Sequence, residues 1–164
     1  MSLQISIRSN TISPGLAKAA AAVKDKRPIL EAMGTQLGSL TKRAFNDSSL
    51  RVASWPNKKT GEPSRLKEKG APYQSIRITN VGSDSVTVGS DRKYAAIHQL
   101  GGTIMPKNPD GLLVFKIGGK LVRTKKVRMP PRPFFAFLAG RMITSAAQKI
   151  TATAMRKIQA LMPK

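Results

Sequence analysis

The sequence predicts an α+β fold: a small antiparallel β-sheet packed against an amino-terminal helix and a long carboxy-terminal helix, with a long protruding loop and a basic hairpin. Three observations carry this. Apolar residues recur at three- and four-residue steps in two long stretches, the period of a helix with one buried face. Two pairs of short alternating runs are each joined by turn residues, the pattern of hairpins. Between the first helix and the first hairpin lies a polar stretch with neither period. At 164 residues the chain fits one domain, 1–164, able to bury a single core. Hydrophobic residues make up 40% and aromatics only 5%, so that core rests on Leu, Ile, Val, Met and Ala, with the five Phe as local anchors.

Residues 2–8 alternate, Leu3, Ile5 and Ile7 against Ser2, Gln4, Ser6 and Arg8, and are a candidate third partner of the sheet. Ser13-Pro14 reads as a cap and first helical residue for a short alanine-rich helix at 16–24. From 28 to 45, Ile29, Leu30, Met33, Leu37, Leu40 and Ala44 mark one face of a helix. Gly34 and Gly38 on it cost about 1 kcal/mol each relative to Ala, which implies close packing against another backbone. An extended loop follows at 46–72, carrying Trp55 and the cations Lys58, Lys59, Arg65, Lys67 and Lys69. It reads equally as an arm gripping a neighbour or as a mobile surface loop.

Residues 75–80 and 85–88 alternate around a turn, with Ile76, Ile78, Val86 and Val88 facing the helices. A short helical turn at 94–100 directs Tyr94, Ile97 and His98 inward and is closed by Gly101-Gly102. The insertion at 106–128 contains the strongest hairpin signal, with strands at 112–117 and 120–124 around Gly118-Gly119. It is a basic finger, bearing Lys116, Lys120, Arg123, Lys125, Lys126 and Arg128. The last helix spans 133–161, and one of its faces packs on the sheet.

Charge narrows the function classes. Lys and Arg number 29 against 8 Asp and Glu, a net +21 with a pI near 11.3, and no acidic residue follows Asp110. An anionic partner is implied: nucleic acid, an anionic membrane or an acidic protein ring. Sequence-specific DNA reading is not implied, because no helix-turn-helix, zinc-finger or basic-zipper pattern is present. The absence of cysteine removes disulfides, thiol catalysis and cysteine-ligated metals. The amino terminus lacks the apolar core of a signal peptide, and no apolar run approaches the roughly 20 residues needed to span a bilayer. A soluble protein of a cytoplasm, with no membrane partner, is expected.

Catalysis is not expected either. The chain has one His and eight scattered acids, with no clustered metal-ligand spacing. His98 has no acidic orienter near it in sequence and reads as an imidazole hydrogen-bonded to backbone. The two Gly-Gly pairs lack the phosphate-cradle pattern and read as turns. No catalytic residue, metal site or cofactor is assigned.

Three phrases occur in order: Val86-Thr87-Val88-Gly89, then Tyr94-Ala95-Ala96-Ile97-His98-Gln99-Leu100-Gly101-Gly102, then Pro130-Pro131-Arg132-Pro133-Phe134. In this set the chain resembles the virion morphogenesis or tail-completion proteins of long-tailed and Mu-like bacteriophages. The resemblance covers 75–140, and the amino-terminal helix by position alone. It implies a structural protein of the neck or head–tail junction, completing the tail or connector so that head and tail join. Such a protein would act as a subunit of a ring of six copies, or of twelve on the portal side. It would assemble in the host cytoplasm beside neck, connector and tail-terminator proteins. The motif residues are Tyr94, His98, Gly101, Gly102, Pro130, Arg132, Pro133 and Phe134. Phe134 or Phe135 is expected in the core, and Arg132, Trp55 and Arg141 at a subunit interface. The finger cations would meet DNA or an acidic partner. The rival reading is a non-specific nucleic-acid-binding, DNA-compacting protein.

Overall fold

A computed structural model describes residues 24–58, 61–64, 66, 72–138 and 141–162. The alternating run at 2–8, the alanine-rich helix up to residue 23, and Lys59, Arg65, Lys67 and Lys69 lie outside them. The described chain runs through α1 (Arg27–Ala44), a 3-10 turn (Ser48–Leu50), α2 (Pro72–Ser75), β1 (Arg77–Val81), β2 (Val86–Gly89), α3 (Ala95–Leu100) and β3 (Gly102–Ile104). It continues through β4 (Leu113–Ile117), β5 (Lys120–Thr124), β6 (Val127–Met129), β7 (Phe137–Leu138), β8 (Arg141–Met142) and α4 (Thr144–Leu161). The class is α+β, as the two periodicities predict.

Helix α1 is the centre of the packing. Pro28 opens it, and Lys42 and Arg43 in its last turn suit the negative end of the helix dipole. Its Leu40 and Ala44 join Leu50, Ala136, Ala146 and Ile150 in one core cluster, which ties α1 to α4. A second cluster gathers Phe45, Trp55, Ile76, Val88, Ala95 and Phe134, and Leu37 packs against both. The β1–β2 hairpin closes on another side of α1. A Cβ added at Gly34 would lie 2.6 Å from Val86 Cγ2 and 2.9 Å from Ile78 Cδ1, so glycine is what lets the hairpin sit down on the helix. The close approach is therefore to side chains, not to another backbone. Lys26 pairs with Asp84, pinning the start of α1 to the β1–β2 turn.

The β-structure departs from the expected single sheet. Among the described residues the strands form four separate two-stranded ladders: β1–β2, β3–β6, β4–β5 and β7–β8, all antiparallel. Alternation identifies a strand but not its partner. Among the described residues the hairpin at 113–124 pairs only with itself, and β3 and β6, which flank it in the chain, pair with each other. Its turn has Gly118 at φ +54° and Gly119 at φ +80°, the two positive values that a two-residue type I′ turn requires.

The last helix also departs. It begins at Thr144, not at 133, and packs on α1 through Ala146 and Ile150 instead of on a sheet. Residues 133–136 are irregular, and the β7–β8 ladder follows, with Phe137 opposite Met142 and Leu138 opposite Arg141. The Ile143 N–H returns to the Ala136 carbonyl at 3.0 Å. Phe134 is fully buried by Phe45 and Phe135 (ring centroids at 5.2 and 5.0 Å), and not as part of a helix face.

Candidate assembly surface

The motif residues of α3 and the 130–135 segment form one lock. Gly101 ends α3 with φ +74° and ψ −178°, a conformation that is essentially glycine-only. A Cβ there would lie 2.9 Å from both Cδ and N of Pro131. The sharp stop lets the proline segment lie against the helix end, where the Arg132 N–H donates to the His98 carbonyl at 2.6 Å. One residue on, Gln99 Oε1 accepts the N–H groups of Phe134 at 2.9 Å and Phe135 at 3.1 Å. Proline at 133 offers no N–H, so all the backbone donors of 132–135 are satisfied by two consecutive residues of α3.

The loop closes over the other side of the same segment. Trp55 Nε1 donates to the Pro133 carbonyl at 2.8 Å. Its ring meets Phe45 edge-on at 5.8 Å, and the Arg51 guanidinium sits 3.8 Å from its centroid, a cation–π arrangement. The Arg132 side chain donates from Nε to the Pro56 carbonyl at 3.3 Å and from Nη2 to the Asn57 carbonyl at 3.4 Å. Two of the three residues expected at a subunit interface are thus inside the chain: Trp55 and Arg132 are each 8% exposed. A guanidinium suits this, since its planar fork can hold carbonyls of a loop that lacks regular structure. Arg141 lies in β8, and its side chain is outside the described residues.

His98 and Tyr94 differ from expectation in detail. Tyr94 is 40% exposed, not inward, and its ring meets His98 edge-on at 6.0 Å. The His98 Nδ1 is buried with no hydrogen-bond partner; the backbone carbonyl of His98, and not its ring, makes the contact with the proline segment. Burial, and then the positive charge of Arg132, hold the imidazole below its ordinary pKa, so the ring is neutral where a free histidine begins to charge.

The finger is built differently from the lock. In the β4–β5 register, Leu113, Phe115 and Ile117 share one face with Val122, all half-buried, while Val114 and Lys116 share the other with Leu121 and Arg123, all exposed. None of these residues belongs to either core cluster. Lys116, Lys120, Arg123, Lys125, Lys126 and Arg128 are all exposed, and none pairs with an acid within 4 Å among the described residues. At the base of the arm, Lys126 and Arg128 line an open hollow of about 890 Å³ with Leu100 and Pro131, so the arm's charge continues down to the lock.

Sequence reasoning named Gln99 only within a phrase and missed its double acceptor role. An amide side chain at the end of a short helix that faces a proline run was the available sign.

A core locked by backbone hydrogen bonds, carrying an outward cationic arm, is the build of a structural domain that meets other macromolecules. The chain matches the phage virion morphogenesis family over residues 7–159 of 164 and belongs to that family. No curated protein and no solved structure matches it significantly. Its role is accordingly in virion morphogenesis.

Proposed function

We propose that this chain is a neck or tail-completion component, one subunit of a ring that lets a finished tail join a DNA-filled head. The observation that supports the reading most is the finger, with six exposed cations that pair with no acid among the described residues, on an arm outside both core clusters. A two-stranded arm is marginal by itself and gains order where it lies on a neighbour. Apolar Val114 and Leu121, 57% and 55% exposed, alternate with Lys116 and Arg123, a surface suited to an acidic protein face with apolar gaps.

Closed rotational symmetry with head-to-tail interfaces suits such a ring, in six copies, or twelve on the portal side. Its neighbours are neck, connector and tail-terminator proteins, met in the host cytoplasm and kept at the head–tail junction of the virion. Electron microscopy of lysates from a phage with a nonsense mutation in this gene tests the reading. Full heads beside unattached tails of normal length are expected; intact infectious particles contradict it.

The unpaired cations also favour a second reading, non-specific binding to duplex DNA through phosphates. Binding that weakens steeply with salt, by a protein that forms no ring, supports this alternative.

A further inference from the structure

The hollow at the base of the arm, about 890 Å³, lies between the end of α3 and β6. Both of its sides are held in place. Thr103 of β3 stands opposite Arg128 of β6 in their ladder. The Gly101 turn brings the end of α3 against Pro131, where a Cβ would lie 2.9 Å from Pro131 Cδ. A preformed recess binds without the cost of ordering its own walls.

Its charge has almost no match within the chain. Lys126 and Arg128 make no ion pair within 4 Å among the described residues. Of the eight acids, Glu68 alone lies outside the described residues, and residues 1–23 contain Arg8 and Lys18 but no acid. Glu68 aside, a carboxylate that meets this pair comes from another molecule.

The rest of the lining decides what kind of molecule that is. Leu100 is 67% exposed at the hollow, and Met129, Pro130 and Pro131 add apolar wall. A DNA backbone engages cations and hydrogen-bond donors and leaves such a wall unused. A protein surface uses both, burying apolar side chains at the centre of a contact with charges around them. We propose that the hollow takes an acidic segment of a partner protein, with carboxylates on Lys126 and Arg128 and a large apolar side chain against Leu100 and Pro131. The inference rests on the reading that the arm meets an acidic protein, and it puts the anchor at the arm's base instead of its tip.

Two fluorescein-labelled peptides of equal length and charge are the probes, one of Glu interrupted by Phe and Leu, the other of Glu interrupted by Ser. Each is titrated into the full chain at physiological salt with anisotropy as readout. The apolar peptide is expected to bind about tenfold more tightly than the serine peptide, and Leu100→Gln removes most of that difference. Lys126→Glu with Arg128→Glu weakens it about tenfold more than Lys116→Glu with Lys120→Glu, an equal change of charge nearer the tip. The corresponding Gln pairs give the same order should added acids disturb the β3–β6 ladder. Glu68→Gln leaves binding unchanged. Equal affinity for the two peptides overturns the proposal, as does the absence of saturable binding up to about 1 mM. Equal losses at base and tip also overturn it, because bulk charge alone would then be at work. So does tighter binding in Glu68→Gln, which would make this chain's own acid the occupant, or duplex oligonucleotide binding that falls in Leu100→Gln, since the apolar wall would then serve DNA. The titration contains no phage component, so its failure leaves the joining role standing, and intact particles from the nonsense mutant overturn that role without touching this result.

Discussion

The Oε1 of Gln99 accepts the backbone N–H of Phe134 at 2.9 Å, and the same oxygen takes the N–H of Phe135 at 3.1 Å. One side-chain atom on α3 fixes two backbone donors directly after Pro133. In Gln99→Met the side-chain length is kept and the acceptor is lost. Each part-buried donor left unsatisfied costs about 1–3 kcal/mol, so a large fall in urea midpoint is expected, with Gln99→Glu closer to wild type.

Gly101 and Gly118 both have positive φ, yet only one is walled in. Gly101→Ala meets Pro131 at 2.9 Å in a backbone region that itself costs about 1–3 kcal/mol, and thermal melts should show global destabilisation. Gly118→Ala meets nothing within 4 Å. Its left-handed conformation costs about 1–2 kcal/mol, a loss confined to the finger, so the main melting transition stays in place.

How much was legible in the sequence follows from these same elements. Helix α1 and the β4–β5 turn could be read because period and turn chemistry are local, from Ile29 to Ala44 and at Gly118-Gly119. The start of the last helix could not. Phe134, Phe137 and Leu138 continue the helical spacing of Ala146 and Ile150, yet the chain there is held by Gln99, distant in sequence, which accepts the N–H groups of Phe134 and Phe135. Gly140, poor in a helix interior, was the sign that went unused. Strand partners were illegible for a related reason: alternation at 76–88 and 113–124 is the same whether the runs share a sheet or not. At the candidate site the finger cations were readable as composition. The internal placement of Trp55 and Arg132 was not, since a long polar loop gives no sign of where its carbonyls lie.

His98 gives the protein a pH dependence. Burial, with the Arg132 charge second, lowers its pKa in the folded state, so between the folded value and about 6.5 the unfolded chain binds more protons. This contribution is whole above pH 6.5 and is lost as pH falls through the folded value. Urea unfolding at stepped pH should show stability declining below about 6.5, with a shallower decline in His98→Gln.

Replacing Lys116, Lys120, Arg123 and Lys125 by Ser removes charge from an arm outside both core clusters. Melting is expected within about 0.5 kcal/mol of wild type, the usual range for exposed sites. Any affinity for duplex DNA should fall, and its log–log salt slope should flatten by about 0.9 for each phosphate that is no longer neutralised.

Complementation puts the finger and the joining role to the same test. Purified protein is added to a lysate of the nonsense mutant, and infectious particles are counted. Wild-type chain is expected to restore titre, while the four-serine finger variant, melting as wild type does, restores little or none. Equal restoration by the two would contradict the account, because a locked core without its charged arm would then suffice to join head and tail.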